Sequence, residues 1–156
     1  MPTMNAESKD SQLWADLCEA ENAFYAARMA LYRDVQDLHA LIENALKVVA
    51  QRGTALRLLE IRPEQDIRRH LATLVYLASV GHCDIALCRS VLLRIDRDWL
   101  IENIDAHVVE VLRNGDDEEY RRFAELYQLL DADLLRAHLD RCACHPSEDI
   151  KEIAED

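Results

Sequence analysis

Four side chains near the C-terminus have the types and spacing of metal ligands. They are His138, Cys142, Cys144 and His145, in the pattern His-x-x-x-Cys-x-Cys-His. On a helix, His138 and Cys142 stand one turn apart on the same face, with Cys144 and His145 at the helix end able to swing toward them. Imidazole and thiolate together suit a soft divalent ion such as zinc, or a redox site. The same stretch also reads as core, because Leu134, Leu135, His138, Leu139 and Cys142 form one apolar stripe and free cysteine packs as a small hydrophobe. A Cys-x-Cys pair is a far weaker signal than paired Cys-x-x-Cys motifs. Core packing is therefore the preferred reading and a metal or redox site the alternative. His82-Cys83, directly after Gly81, is a second and weaker pair of ligand types, with a helix-ending turn as the preferred reading.

Other common chemistries lack their residues. Three widely separated glycines cannot build a phosphate-cradling loop, and no G-x-S-x-G, H-E-x-x-H or E-x-x-H occurs. No cofactor is implied and the chain is not read as an enzyme. Recognition is the remaining chemistry, and two groups suit it. Trp14 and Trp99 fall near helix starts, and tryptophan is enriched among the anchors of protein interfaces. Asp116, Asp117, Glu118 and Glu119 form an acidic helix start. Acidic residues there also complement the helix dipole, so part of that cluster is structural. Tyr120, Phe123 and Tyr127, at helical spacing, read as core.

The formal net charge is −12, and it is unevenly spread. Residues 1–53 carry 5 Lys and Arg against 8 Asp and Glu, residues 54–100 carry 7 against 6, and residues 101–156 carry 6 against 16. A C-terminal third at −10 repels a phosphate backbone, which is bound chiefly by lysine and arginine. Nucleic acid is disfavoured as a partner. The local patch Arg57, Arg62, Arg68 and Arg69 reads as a solvated helix face. A basic protein is the partner this charge expects.

No apolar run approaches the ~18 residues of a membrane span. The first ten residues lack the basic cap and apolar stretch of an export signal, so a cytoplasmic protein that avoids the membrane is expected. Five cysteines, Cys18, Cys83, Cys88, Cys142 and Cys144, are an odd number and read as reduced thiols, four of them at positions where a helix places a small apolar residue.

The elements that must position these residues are helices. Gly53, Gly81 and Gly115 follow apolar-periodic runs as helix-ending residues do, and Pro63 and Pro146 precede helix starts. Apolar residues at i, i+3, i+4 and i+7 predict helices over about 64–80, 84–95, 97–113, 117–130 and 132–144. From Ser11 to Arg52 there is neither Gly nor Pro, and Leu13, Leu17, Phe24, Ala27, Leu31, Val35, Leu38, Ile42 and Val49 keep helical spacing. Two helices, over about 10–31 and 35–52 with a break near Asp34, are expected there. The alternative is a coiled-coil arm whose register shifts near Leu31 to Val35. Ala20, Ala23, Ala26, Ala27 and Ala30 suggest that another helix packs closely on this segment, and self-association through it is an open expectation. Ile67 to Leu77 also echoes Tyr120 to Leu130, at an offset of 53 residues.

From Gly81 onward the chain resembles bacterial HEAT-like helical-repeat proteins. The likeness is clearest in Asp116-Asp-Glu-Glu-Tyr-Arg-Arg-Phe-Ala-Glu-Leu-Tyr-Gln-Leu-Leu-Asp131 and in Cys144-His-Pro-Ser-Glu-Asp-Ile-Lys-Glu-Ile-Ala154. It is one of pattern over about the last 75 residues, and the first 53 residues do not share it. The resemblance implies stacked helix pairs forming a curved solenoid that binds proteins. One branch of such proteins binds damaged DNA on a basic concave face, from which this acidic segment departs. The expected architecture is all-α: stacked antiparallel helical hairpins, as a HEAT-like solenoid or right-handed helical array over residues 54–156. An N-terminal helical hairpin or arm over residues 1–53 would pack as one domain with it. The expected function is non-enzymatic protein binding, as an adaptor or an immunity- or antitoxin-type inhibitor.

Overall fold

A computed structural model describes residues 4–155; Met1 to Thr3, which enter the reading of the N-terminal segment, and Asp156 lie outside the described residues. Helix makes up 80% of the structure, and no strand occurs among the described residues. The helices are α1 Met4–Asp34, α2 Leu38–Lys47, α3 Val49–Glu60, α4 Glu64–Arg68, α5 Leu71–Ala78, α6 Ile85–Leu92, α7 Arg97–Leu112, α8 Asp117–Leu130, α9 Ala132–Ala143 and α10 Glu148–Lys151. A 3-10 turn, Glu152–Ala154, follows. Among the described residues no helix is long and apolar enough to cross a membrane.

The chain divides into two compact units, Met1–Leu38 and His39–Asp156. The first is essentially α1. Every residue from Ser8 to Ala27 is exposed, including Leu13, Trp14, Leu17, Phe24 and Tyr25. The break expected near Asp34 falls at Val35 to Asp37.

The second unit departs from expectation at three points. The single helix expected over 35–52 is broken again at Val48, whose backbone is extended (φ −97°, ψ 115°). Across that kink the Arg52 Nε donates to the Leu46 carbonyl at 3.0 Å, satisfying an acceptor that the end of α2 leaves open. Gly53 does not end a helix but lies inside α3. A Cβ there would stand 3.1 Å from Asp84 Oδ1, so glycine allows α3 to approach the residue that leads into α6. The helix expected over 64–80 is interrupted at Arg69 and His70, and the ring of His70 is buried. The remaining helices, α6 to α9, match their expected spans within a few residues.

In the second unit α3 and α5 to α8 turn their apolar stripes inward. Leu56 and Leu59 of α3, Leu74 and Leu77 of α5, Cys88 and Leu92 of α6, Leu100 and Ile104 of α7, and Phe123 and Tyr127 of α8 are all buried. Helix α3 packs on α6, α5 on both α6 and α7, α7 on α8, α8 on α9, and α9 on the terminal 3-10 turn. Asp96 caps α7 through Trp99 N at 3.0 Å, and Asp131 caps α9 through Asp133 N and Leu134 N.

Hydrogen bonds between elements span separations from 14 residues, as Cys88 to the Leu74 carbonyl, upward, and several fall at the long end of that range. Gly81 N donates to Glu118, Arg89 to Glu125, Arg94 to the Leu59 carbonyl, Arg97 to Asp131 and Arg141 to Asp105, at separations of 34 to 37 residues. Arg94 also reaches the Glu60 carbonyl, so one guanidinium caps the C-terminal end of α3. The echo noted at an offset of 53 residues is not the separation of these bonds.

Candidate functional site

The acidic start of α8 is built as a cap. The Asp116 carboxylate accepts from Glu118 N at 2.9 Å, and the Glu119 carboxylate accepts from Asp116 N at 2.8 Å, forming a capping box. Glu118 Oε1 accepts from Gly81 N at 2.8 Å, and a Cβ at Gly81 would come within 2.8 Å of that oxygen. Asp117 lies 3.8 Å from Arg121. All four carboxylates therefore have partners within the fold.

The wider charge pattern of residues 101–156 is one-sided. Its six Lys and Arg are each paired with a carboxylate of the same segment: Arg113 with Glu110, Arg121 with Asp117, Arg122 with Glu125, Arg136 with Asp133, Arg141 with Asp105 and Lys151 with Glu148. Arg89 and Arg97 reach in from α6 and α7 to Glu125 and Asp131 at 2.6 and 2.7 Å. The paired guanidinium groups of Arg89 and Arg122 hold the Glu125 carboxyl below the usual carboxylate range against the opposing effect of its burial. Besides Asp116, which is held by the capping box, five exposed carboxylates, Glu102, Asp140, Asp149, Glu152 and Glu155, have no ion-pair partner among the described residues. These five supply half of the −10 charge of the segment.

The two tryptophans differ. Trp14, in α1, is 69% exposed. Trp99, in the first turn of α7, is half-buried, with the Arg68 guanidinium 4.3 Å from its ring centroid. Arg68 also pairs with Glu64, and Arg62 with Asp66 at 2.7 Å, so half of the arginine patch is matched by acids.

His138, Cys142, Cys144 and His145 are not gathered into one centre. His138 is buried between Tyr120 and Tyr127, and its Nε2 faces the Tyr120 carbonyl at 2.9 Å as a donor must. Burial holds this imidazole below its ordinary pKa, so the neutral form is favoured. Cys142 is buried, Cys144 is exposed, and His145 accepts from Ser147 N at 3.1 Å. No group of three or more His, Cys, Asp or Glu among the described residues has an arrangement that could hold a metal ion. The five cysteines are free thiols, and only Cys88 and Cys142 are buried, fewer than the four expected at inward positions. Burial pushes the Cys88 thiol up to about 12, which makes it an inert core residue.

A second polar group lies where the sequence pattern gave no signal. His70 Nδ1 is 2.8 Å from Glu43 Oε2, His70 Nε2 is 3.3 Å from His39 Nδ1, and His39 Nε2 is 3.4 Å from Asp66. Thr73 donates to the other Glu43 oxygen. Partial burial would raise the Glu43 carboxyl, but hydrogen bonds from His70, Thr73 and Lys47 bring it down to about 2. Glu43 is thus an acceptor, His70 donates from Nδ1, and His39 is left to bridge His70 and Asp66. The signal in the sequence is a pair of reciprocal i, i+4 steps: His39 and Glu43 on α2, Asp66 and His70 where α4 ends. Thr73 and Lys47 also line a groove of about 500 Å³ with Arg52, Ala72, Tyr76 and Leu77. Both Glu43 oxygens face inward donors, so the chain ties α2 to the segment 66–73 and offers no free base to the groove.

Compared with family models, with curated proteins and with solved structures, the chain matches none.

Proposed function

We propose that this chain is a non-enzymatic protein-interaction module, an adaptor or an inhibitor of the immunity or antitoxin type. It acts in the cytoplasm and receives a basic protein partner on the acidic surface of residues 101–156. The observation that carries the reading is the complete pairing of that segment's six bases, with five exposed carboxylates left outside both the ion pairs and the α8 cap. Such a surface attracts a basic partner over about a Debye length, ~8 Å at physiological ionic strength, and acts mainly on association rate. A HEAT-like stacking of helix pairs would suit the packing of successive helices, α5 on α6, α7 on α8 and α8 on α9. Trp99, half-covered by Arg68, serves as an apolar anchor beside the acids. Asp116 to Glu119 contribute field while their hydrogen bonds hold the start of α8.

The test is affinity capture from the native cell with two baits, the wild type and a variant carrying E102Q, D140N, D149N, E152Q and E155Q. Each is run at low and at high ionic strength. A basic protein should be captured by the wild type, be depleted by salt, and be recovered at least severalfold less by the variant. Equal capture by both baits under both conditions would show the acids to serve solubility alone.

A further inference from the structure

The exposed face of α1 carries an uninterrupted heptad seam. Leu13, Leu17, Ala20, Phe24, Ala27 and Leu31 follow one another in steps of four, three, four, three and four, the spacing of a two-helix seam. All but the half-buried Leu31 are exposed, with Leu13 at 58%, Leu17 at 50% and Phe24 at 51%. A 31-residue helix whose apolar stripe stays in water lacks the tertiary packing from which most helical stability comes.

The geometry points to a second copy of α1 as the occupant of this seam, paired antiparallel about Asn22. Three independent features of the sequence select that arrangement. The first is size. With the copies reversed about residue 22, Leu17 meets Ala27 of the partner subunit, Ala20 meets Phe24 of the partner subunit and Leu13 meets Leu31 of the partner subunit, so each alanine faces a large side chain. A parallel in-register pair would instead stack Phe24 on its own copy and leave layers of alanine against alanine, alternating overpacked and empty levels. The second is charge. Residues 4–21 carry five acids (Glu7, Asp10, Asp16, Glu19, Glu21) against Lys9 alone, whereas residues 22–34 carry Arg28 and Arg33 against Asp34. Reversal sets the acidic half beside the basic one, while a parallel pair sets acid on acid. The third is the flank. Trp14 and Arg28 hold equivalent heptad positions beside the seam, and reversal puts Trp14 of one copy on the same flank as Arg28 of the partner subunit, two residues, about 3 Å along the helix, from direct register. The Arg28 guanidinium already lies over the Phe24 and Tyr25 rings, at 5.6 and 5.5 Å from their centroids. Tyr25 and Met29 lie off the seam and stay outside the pairing.

The area fits a modest, concentration-dependent dimer. Leu13, Trp14, Leu17 and Phe24 keep half or more of their surface in solvent, so two copies offer on the order of 1,000 Å² to cover. Specific interfaces start at about 1,200 Å², a level the seam alanines and Leu31 bring within reach. This inference is independent of the acidic-surface reading, which concerns residues 101–156.

Analytical ultracentrifugation of the full chain over a wide concentration range gives the first answer. A monomer–dimer equilibrium is expected, rising toward twice the 18.0 kDa chain mass. F24E should shift the midpoint by at least tenfold in concentration, with circular dichroism and thermal unfolding of the rest unchanged, because Phe24 is exposed. Orientation follows from oxidation of mixed L13C and L31C chains in a background where the exposed Cys18, Cys83 and Cys144 are serine. Heterodisulfides between the two positions support the antiparallel pair. A chain that stays monomeric, a dimer indifferent to F24E, or a dominant disulfide between two copies of L13C each overturns the proposal.

Discussion

Helix α1 and the helices of the unit His39–Asp156 draw on the same amino acids at the same period, yet they use them differently. In α8 the stripe Tyr120, Phe123, Tyr127 and Leu130 is buried, and the helix is opened by a capping box. In α1 the stripe Leu13, Leu17 and Phe24 is exposed, and the helix is more than twice as long as α8. Periodicity thus fixes that a helix will form and which face is apolar. It does not fix what covers that face. The difference lies in the residues between the stripes. The larger unit interleaves arginines that reach carbonyls and carboxylates of other helices, as Arg89, Arg94, Arg97 and Arg141 do. In α1, by contrast, five of the twelve residues from Cys18 to Met29 are alanine or cysteine that a close helix could approach.

The sharpest contrast between the two regions is the cost of removing one aromatic ring. F123A, at a site with no exposure, should cost about 3–5 kcal/mol and lower the urea midpoint of the larger unit accordingly. F24A should leave that midpoint where it was and act only on association. Comparable losses of stability from both substitutions would mean that Phe24 belongs to the same core.

Acid should act on the larger unit through Glu43. Its folded pKa lies near 2, below the ordinary 4.5, so the stability it contributes is fully present above about 4.5 and is lost as pH falls toward 2. Urea titrations of wild type and E43Q from neutral pH to pH 3 should differ. The wild type should start about 2 kcal/mol more stable, and the gap should narrow as the carboxyl protonates. A gap that stays constant with pH would assign the effect of E43Q to packing rather than to charge.

A smaller effect is expected at the acidic start of α8. D116A removes a side-chain acceptor and half of the capping box, which should cost about 1 kcal/mol and little helical content in circular dichroism. A loss below a few tenths would return these acids to the surface charge and away from structure.

How much of this was legible beforehand varied with distance along the chain. The spans of α7, α8 and α9 follow from local signals: acidic caps at Asp96, Asp116 and Asp131, and stripes with one period. The break at His70 and the passage of α3 through Gly53 involve partners 27 or more residues away, Glu43 for His70 and Asp84 for Gly53. A single sequence does not announce those partners. The chain Glu43, His70, His39 and Asp66 was hidden for the same reason, since each residue taken alone reads as a polar residue on a helix. His138 and Cys142 were visible both as ligands and as core, and the Tyr120 carbonyl that engages the imidazole could not be read from spacing.

The larger unit is held by its own core, whereas α1 is proposed to be held by a second copy. Hydrogen exchange on the full chain, measured at a series of protein concentrations, tests this difference directly. Amides of α7 and α8 should exchange at rates independent of concentration. Those of residues 13–31 should become protected as concentration rises through the dimer midpoint and lose that protection in F24E. Protection of α1 that is the same at every concentration, and unchanged in F24E, would contradict the account.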